Sequence, residues 1–533
     1  MTRADVTETL HERIADQAAR TPDSVAIVSD EESLTYGLLD ERANSLARCL
    51  LELGCERGDR VCLFLPKSAA AIVAMVGALR AGCAYVPVDL DSPGPRLAKL
   101  VARAEPRVVI VAPEAAGRLE EVRAAGGLDE GVRVGSLHSE AGELAFDAST
   151  VAGYPGDPVS PEAGREDPAH ILFTSGSTGE PKGVVITHAN VLAFLDWAVP
   201  HFGIGEGDRL SGHPPLHFDL STFDIYGALT TGAELHLVPP ALNLPPKGIA
   251  RFIEQHELTQ WFSVPSVLTY MAKFDAVPDG GFPTLRRVLS CGDVLPTPVL
   301  EHWLARLPHV RFTNLYGPTE ATIASSFHAI DSVSPGDTRA IPIGRACRGE
   351  ELLVLDENLR PTEAGVAGDL YLAGAGLSPG YWRDVERTRV SFLPDPRPER
   401  PDARIYKTGD RARIDEDGVV HFLGRADSQV KSRGYRIELG EVEGAVNALP
   451  QVREAAVVGV DGEFEGTALC CAFAPADEVD ISSQRLRKAL RATLPAYMLP
   501  SRWLELPVLP KNANGKIDRT EIKRLFAAEP ARP

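Results

Sequence analysis

Between residues 24 and 111, short β-branched runs alternate with stretches in which apolar residues return every three or four positions. Residues 25–28, 60–65 and 107–111 read as buried strands and residues 38–53 as an amphipathic helix. That alternation predicts a sheet covered by helices, an α/β fold. A polar, Gly-rich stretch over 115–165 breaks the pattern and reads as an irregular connection. Strand-and-helix alternation resumes at Ile171 and continues to about Ile330. From Asp356 to Leu423 turn signals such as Asp356-Glu357-Asn358 crowd together and helical periodicity vanishes, which predicts a largely β subdomain. Past Gly424 the pattern gives a helix over 437–448, a strand over 452–460 and a helix over 482–494, punctuated by Pro495, Pro500, Pro507 and Pro510. A small α+β domain follows a boundary near residues 425–427.

Composition narrows the function classes. A chain of 533 residues exceeds one compact core, and 44% hydrophobic with 24% charged residues is a globular balance. The formal net charge of −19 repels phosphate backbones and anionic lipid, so neither a nucleic acid nor a membrane is expected as a partner. The longest apolar run, 69–79, is about half of what spans a bilayer and reads as a buried helix. The eight cysteines form no C-x-x-C pair and no zinc-finger spacing, which suits core thiols in a reducing compartment. The first residues lack the apolar stretch of a signal peptide, so the cytoplasm is the expected location.

The clearest chemical signal is a Ser/Thr/Gly loop directly after an apolar strand: Thr174, Ser175, Gly176, Ser177, Thr178 and Gly179, with Lys182 behind it. Such a loop offers backbone N–H groups and hydroxyls to phosphate oxygens, and the lysine adds charge. A plain flexible turn is the alternative. The P-loop pattern sets Lys directly after its last Gly, whereas Glu180 and Pro181 intervene here, so this is a different kind of phosphate site.

Residues 174–183 resemble the signature of the adenylate-forming superfamily, which holds acyl-CoA ligases, luciferases and the adenylation domains of nonribosomal peptide synthesis. Further blocks follow in that family's order: 314–320, 374–382, 406–410, 424–438 and 514–518. The resemblance implies a large multi-subdomain N-terminal domain over 1–424, a hinge at 425–427 with Asp427 as pivot, and a small mobile C-terminal domain over 428–533. It implies ATP and Mg²⁺ as cofactors. Adenine is expected on the flat face of Tyr316, with Asn314, Gly317 and Thr319 nearby. Asp410 and Arg425 are expected at the ribose, and Glu320 as the Mg²⁺ ligand. Taken singly, an aromatic in a turn or a solvated carboxylate is as ready a reading. Lys516 matches the family's catalytic lysine, which stabilises charge growing on the α-phosphate. A second pose, with the face around Gly434 toward an incoming thiol, is implied as well.

Residues 217–224 resemble the start of the specificity pocket in amino-acid adenylation domains, where an aspartate pairs with the substrate ammonium; Asp219 holds that position. A buried carboxylate without a cation is costly, which favours an amine as its partner. The resemblance implies that Phe218 gates the reacting carboxylate. The remaining pocket positions are Leu220, Phe223, Ser263, Leu289, Cys291, Gly292, Leu315, Ile323 and Ala324. None is charged, so a short apolar substrate is expected. Where the family usually has Gly-Glu, this chain has Gly292-Asp293.

The expected activity is therefore ATP-dependent activation of a small amino acid and its transfer to the phosphopantetheine thiol of a discrete carrier protein, since no carrier segment follows Arg519. A small aliphatic β-amino acid such as 3-aminobutanoate, as in macrolactam polyketide pathways, is favoured. A small α-amino acid such as alanine or proline stands close behind, and an acyl-CoA ligase is the further alternative. Lys431, Arg433 and Arg436 are expected near the thiol face, where they could serve an acidic carrier; scattered solvated charges are at least as ready a reading.

Overall fold

The computed structural model describes residues 8–138, 144–159, 163–176, 180–242, 245–334, 336–337, 339–462, 466–476, 482–512 and 517–528. Ser177, Thr178, Gly179 and Lys516 lie outside the described residues.

Two large sheets carry the α/β part. In a nine-stranded sheet, Val25–Val28, Glu234–Leu237, Arg209–Gly212, Gln260–Ser263, Arg287–Ser290 and Arg311–Tyr316 run parallel, and antiparallel Ser326–Ile330 follows. In a seven-stranded sheet, Arg60–Phe64, Ala84–Pro87 and Val108–Val111 are parallel, and Pro168–Thr174 pairs parallel with Ala84–Pro87 and antiparallel with Lys182–Thr187. Helices such as Tyr36–Glu52 and Ala69–Arg80 cover them; the latter is apolar up to Arg80 and buried at every position but Ala70, as the 69–79 run predicts. Parallel strands end at Gly212, Ser263, Ser290, Tyr316 and Thr174. Ligand sites form beyond such carboxyl ends.

Three expectations change. The 115–165 stretch holds the helices Ala116–Ala124 and Ala148–Ala152 and the edge strand Arg133–Gly135. Its periodicity is hidden because only Leu119 and Val122 of the first helix are buried, while Arg118–Glu121 and Arg123–Glu120 pairs face outward. The β region is a five-stranded antiparallel sheet, but the helix Val385–Ser391 interrupts it. The helix expected from residue 437 begins at Leu439, because Tyr435–Glu438 is the second strand of a hairpin with Gln429–Ser432.

The C-terminal part packs the sheet Val452–Gly462, Gly466–Pro475, Arg502–Glu505 between two small cores. Alternation along a strand sends Ala455 and Val457 to one core and Ala456 and Val458 to the other. Cys470 and Cys471 follow the same rule, so adjacent thiols serve opposite faces. All eight cysteines are buried and free.

Candidate functional site

The strand ends and the 429–438 hairpin enclose a cleft with about 1140 Å³ of empty space, open to solvent. Its lining brings together Thr174, Ser175, Phe218, Asp219, Leu220, Gly292, Gly317, Thr319, Asp410 and Arg425, all singled out from sequence.

At one end stands Asp219. It opens the helix Asp219–Leu229, whose eleven residues are all buried, and it sits in the first turn, where the helix dipole favours an anion. Burial nevertheless lifts its carboxyl to about 6, against the pull of the Thr319 side chain and of the Lys431 charge. No ion pair holds it among the described residues. Phe218 meets the edge of Tyr435 from the C-terminal part at 5.0 Å and 84°, and Tyr435 in turn stacks on Tyr497 at 3.8 Å.

The deeper pocket positions form wall rather than lining. Phe223 is fully buried, its ring edge-on to Phe194 and Phe262. Leu289, Leu315, Ile323 and Ala324 are buried as well. The Ser263 hydroxyl is committed internally: it accepts from Trp261 Nε1 at 2.9 Å and donates to the Val264 carbonyl at 3.3 Å. Burial pushes the Cys291 thiol up to about 12, so it is a neutral wall element.

The other end is built differently. Glu320 is completely buried, and its Oε1 accepts from Lys182 Nζ at 3.0 Å and from the Tyr381 hydroxyl at 2.7 Å. Its Oε2 accepts from Arg436 Nη1 at 2.7 Å. Burial alone raises this carboxyl, but Arg436 and Lys182 outweigh it and hold Glu320 well below the usual carboxylate range. Burial lowers Lys182, with Arg436 adding to that and Glu320 opposing it. The Ser175 hydroxyl donates to the Arg436 carbonyl at 2.7 Å, whereas Thr174 Oγ1 is buried without a partner and is free for an anionic oxygen. Gly176 is obligatory, since a Cβ there would stand 2.1 Å from the Glu180 carbonyl oxygen.

Between the two ends, Asp410 accepts from the Tyr316 hydroxyl and from Arg425 Nη1, the latter at 2.7 Å. Asn314 donates to the Pro342 carbonyl at 2.9 Å and leaves its Oδ1 unpartnered. Exposed Asp427 accepts a two-pronged pair from Arg425 at 2.7 and 2.6 Å.

The 429–438 hairpin dominates this geometry. Lys431 and Arg436 are directly opposed across its two strands and so share a face. That face points inward: Lys431 Nζ lies 5.6 Å from the centre of the Tyr316 ring, and Arg436 reaches Glu320. Of the three basic residues expected to face a carrier, only Arg433 is exposed. The other two are corrected to cleft residues. Gly434 closes the approach at φ +81°, and a Cβ there would lie 2.4 Å from Val264 Cγ1. Arg96 pairs with Glu441 across the same junction.

Sequence reasoning missed Tyr381 and Tyr435, although both lie inside quoted blocks. A hydroxyl-bearing aromatic beside Gly380, or two residues before Ile437, carries no signal until the sheet brings it to Glu320 or Phe218. No cluster of three or more His, Cys, Asp or Glu suited to a metal occurs among the described residues. No helix of the described residues is long and apolar enough to cross a membrane.

Comparison with known proteins supplies independent findings. The AMP-binding enzyme family matches residues 14–382, and the AMP-binding enzyme C-terminal domain matches residues 441–516. The chain is 37% identical over 522 residues to an L-proline:L-prolyl-carrier protein ligase of Pseudomonas fluorescens, covering 97% of this chain and 99% of that protein. A ligase of the same name from Streptomyces coelicolor is 35% identical over 518 residues, covering 94% and 93%. Among solved structures, NpsA-ThdA, an artificially fused adenylation-PCP di-domain from Klebsiella oxytoca, aligns with a TM-score of 0.80 at 26% identity over 94% of both chains.

Proposed function

Because the chain belongs to the AMP-binding enzyme family, we propose that it is a ligase that adenylates a small amino acid, L-proline first among candidates, and passes the acyl group to a carrier protein's phosphopantetheine thiol. The observation that carries the amino-acid part is Asp219, a buried carboxylate that no fixed cation pairs, at the end of a cleft otherwise walled by Leu220, Val264 and Gly292. The cyclic ammonium of proline satisfies it, and a short apolar ring suits the wall. The named activity of the two full-length relatives moves proline ahead of the β-amino acid expected from sequence.

In this reading a carboxylate oxygen of the amino acid attacks the α-phosphorus of ATP; the acyl–phosphate bond forms as the bond to pyrophosphate breaks. Thr174 Oγ1 and the 174–179 loop receive phosphate oxygens, Tyr316 supports the base, and Asp410 and Arg425 meet the ribose. Mg²⁺, bound with the nucleotide, supplies charge neutralisation, and Glu320 would hold it once Arg436 withdraws. Lys516, carried inward by rotation about Asp427, stabilises the charge that develops. In the second step the thiol sulfur attacks the acyl carbonyl and AMP leaves; the pose with Gly434, Lys431 and Arg436 in the cleft serves that step.

Amino-acid-dependent pyrophosphate exchange tests the reading. The expected order is proline first, with alanine and 3-aminobutanoate at least about tenfold lower in kcat/KM, since one misplaced methylene is worth about 1 to 3 kcal/mol. Preference for 3-aminobutanoate would replace proline with the β-amino acid, and exchange with an acyl acid lacking an amine would replace both.

A further inference from the structure

The helix that presents Asp219 carries a second, fully buried carboxylate, and the partly buried ammonium of Lys67 holds the connection that leads into that helix. Asp224 lies five residues along the same helix, turned about 140° from Asp219 at roughly 100° per residue. It is fully buried, and neither oxygen has a side-chain hydrogen-bond partner. The groups that draw its charge are the Lys67 ammonium and the His213 backbone amide.

Lys67 comes from the other sheet. It follows the strand Arg60–Phe64 and precedes Ser68, whose hydroxyl caps the helix Ala69–Arg80 by accepting from Ala71 N at 3.2 Å. Its Nζ donates to the carbonyl oxygens of Gly212 and His213, each at 2.6 Å. Gly212 ends a parallel strand, and His213 begins the connection that leads through Phe218 to Asp219. One ammonium therefore grips the connection, and the buried Asp224 carboxyl rides on the helix that the connection feeds.

A position needed only for packing has a cheaper solution. A buried carboxyl without a fixed partner costs more than an apolar residue of similar volume. The rest of this helix is apolar or hydroxyl-bearing apart from Asp219 itself. We infer that Lys67 and Asp224 are positioning residues for amino-acid binding, which fix the 212–219 connection and so set where the Asp219 carboxylate stands against Thr319. The inference rests on the proposed reading of Asp219 as the partner of the substrate amine. Burial pulls the Lys67 ammonium down to about 7 against the opposing charge of Asp224, and it pushes the Asp224 carboxyl well above the usual carboxylate range against the opposing charge of Lys67.

The test is pyrophosphate exchange with the full chain, measuring KM for proline and for ATP separately in Lys67→Met, Lys67→Arg, Asp224→Asn and the double variant Lys67→Met/Asp224→Asn. KM for proline is expected to rise about tenfold or more in Lys67→Met and in Asp224→Asn, while KM for ATP stays within about twofold. Lys67→Arg recovers most of the loss, and the double variant is no worse than Lys67→Met because no charge is left buried alone. A KM for proline that does not move, or that rises in step with KM for ATP as the melting temperature falls, overturns the inference and leaves only a structural role. Should Lys67→Met fail to fold, the ratio of the two KM values in Asp224→Asn decides. Absence of amino-acid-dependent exchange in the unaltered enzyme sinks the reading of Asp219 and this inference with it, whereas exchange with an unmoved KM ratio sinks this inference alone.

Discussion

Two buried carboxylates mark the two ends of the cleft, and they are treated in opposite ways. Glu320 is surrounded by Lys182, Arg436 and the Tyr381 hydroxyl, and it remains ionised despite complete burial. Asp219 has the Thr319 side chain, the Leu220 backbone amide and the charge of Lys431, but no ion pair among the described residues, and burial lifts it to about 6. The first is a settled charge whose partners belong to the protein. The second is an unsettled one, and the missing stabilisation is available to a guest that brings its own cation.

The contrast predicts mutational effects of opposite sign. Glu320→Gln leaves two cations buried without their anion and is expected to cost about 3 to 5 kcal/mol in stability. Exchange should fall about 10²- to 10³-fold with it. Denaturant unfolding and steady-state exchange measure both, and a variant as stable as the parent would show that the cations find other partners. Asp219→Asn is expected to stabilise instead. Folding raises this carboxyl from 3.8 to about 6, so folding takes up protons and the cost of ionising the group is fully present above the upper value and absent below the lower. Removing it should gain on the order of 2 to 3 kcal/mol at pH 7.5 and little at about pH 3.5. Unfolding curves at the two pH values would reveal a loss instead, if the helix dipole and Thr319 already compensate the charge.

A smaller effect concerns pH alone. Amine recognition needs the ionised form of Asp219, so kcat/KM for the amino acid should fall as pH drops through about 6, approaching tenfold per unit. The same profile taken with ATP as the varied substrate should stay flat there, because Glu320 keeps its charge. Parallel profiles would erase the distinction between the two ends.

The residues legible in the sequence are those whose chemistry fixes their type. Thr174, Asp219, Thr319, Asp410 and Arg425 line one cleft as their motifs imply. What was not legible depends on which way an element faces. Lys431 and Arg436 look like surface cations, and nothing in a four-residue strand tells its cleft face from its solvent face until the hairpin docks. Ser263 looks like a polar reader of substrate, yet its hydroxyl serves Trp261 two residues earlier on the same strand. Lys67 and Asp224 sit 157 positions apart by residue number, and only the meeting of two sheets relates them. The apolar periodicity gave the core helix Ala69–Arg80, whereas Ala116–Ala124 escaped because salt-bridged charges fill most of its turns.

The most direct test is the exchange rate of the unaltered enzyme with L-proline against cyclopentanecarboxylate, which keeps the ring and the carboxylate and lacks the amine. A preference of about 10²-fold or more for proline, lost in Asp219→Ala, is the predicted result. Equal rates for the two acids, or a preference that survives Asp219→Ala, would contradict the claim that this buried carboxylate receives the substrate's cation.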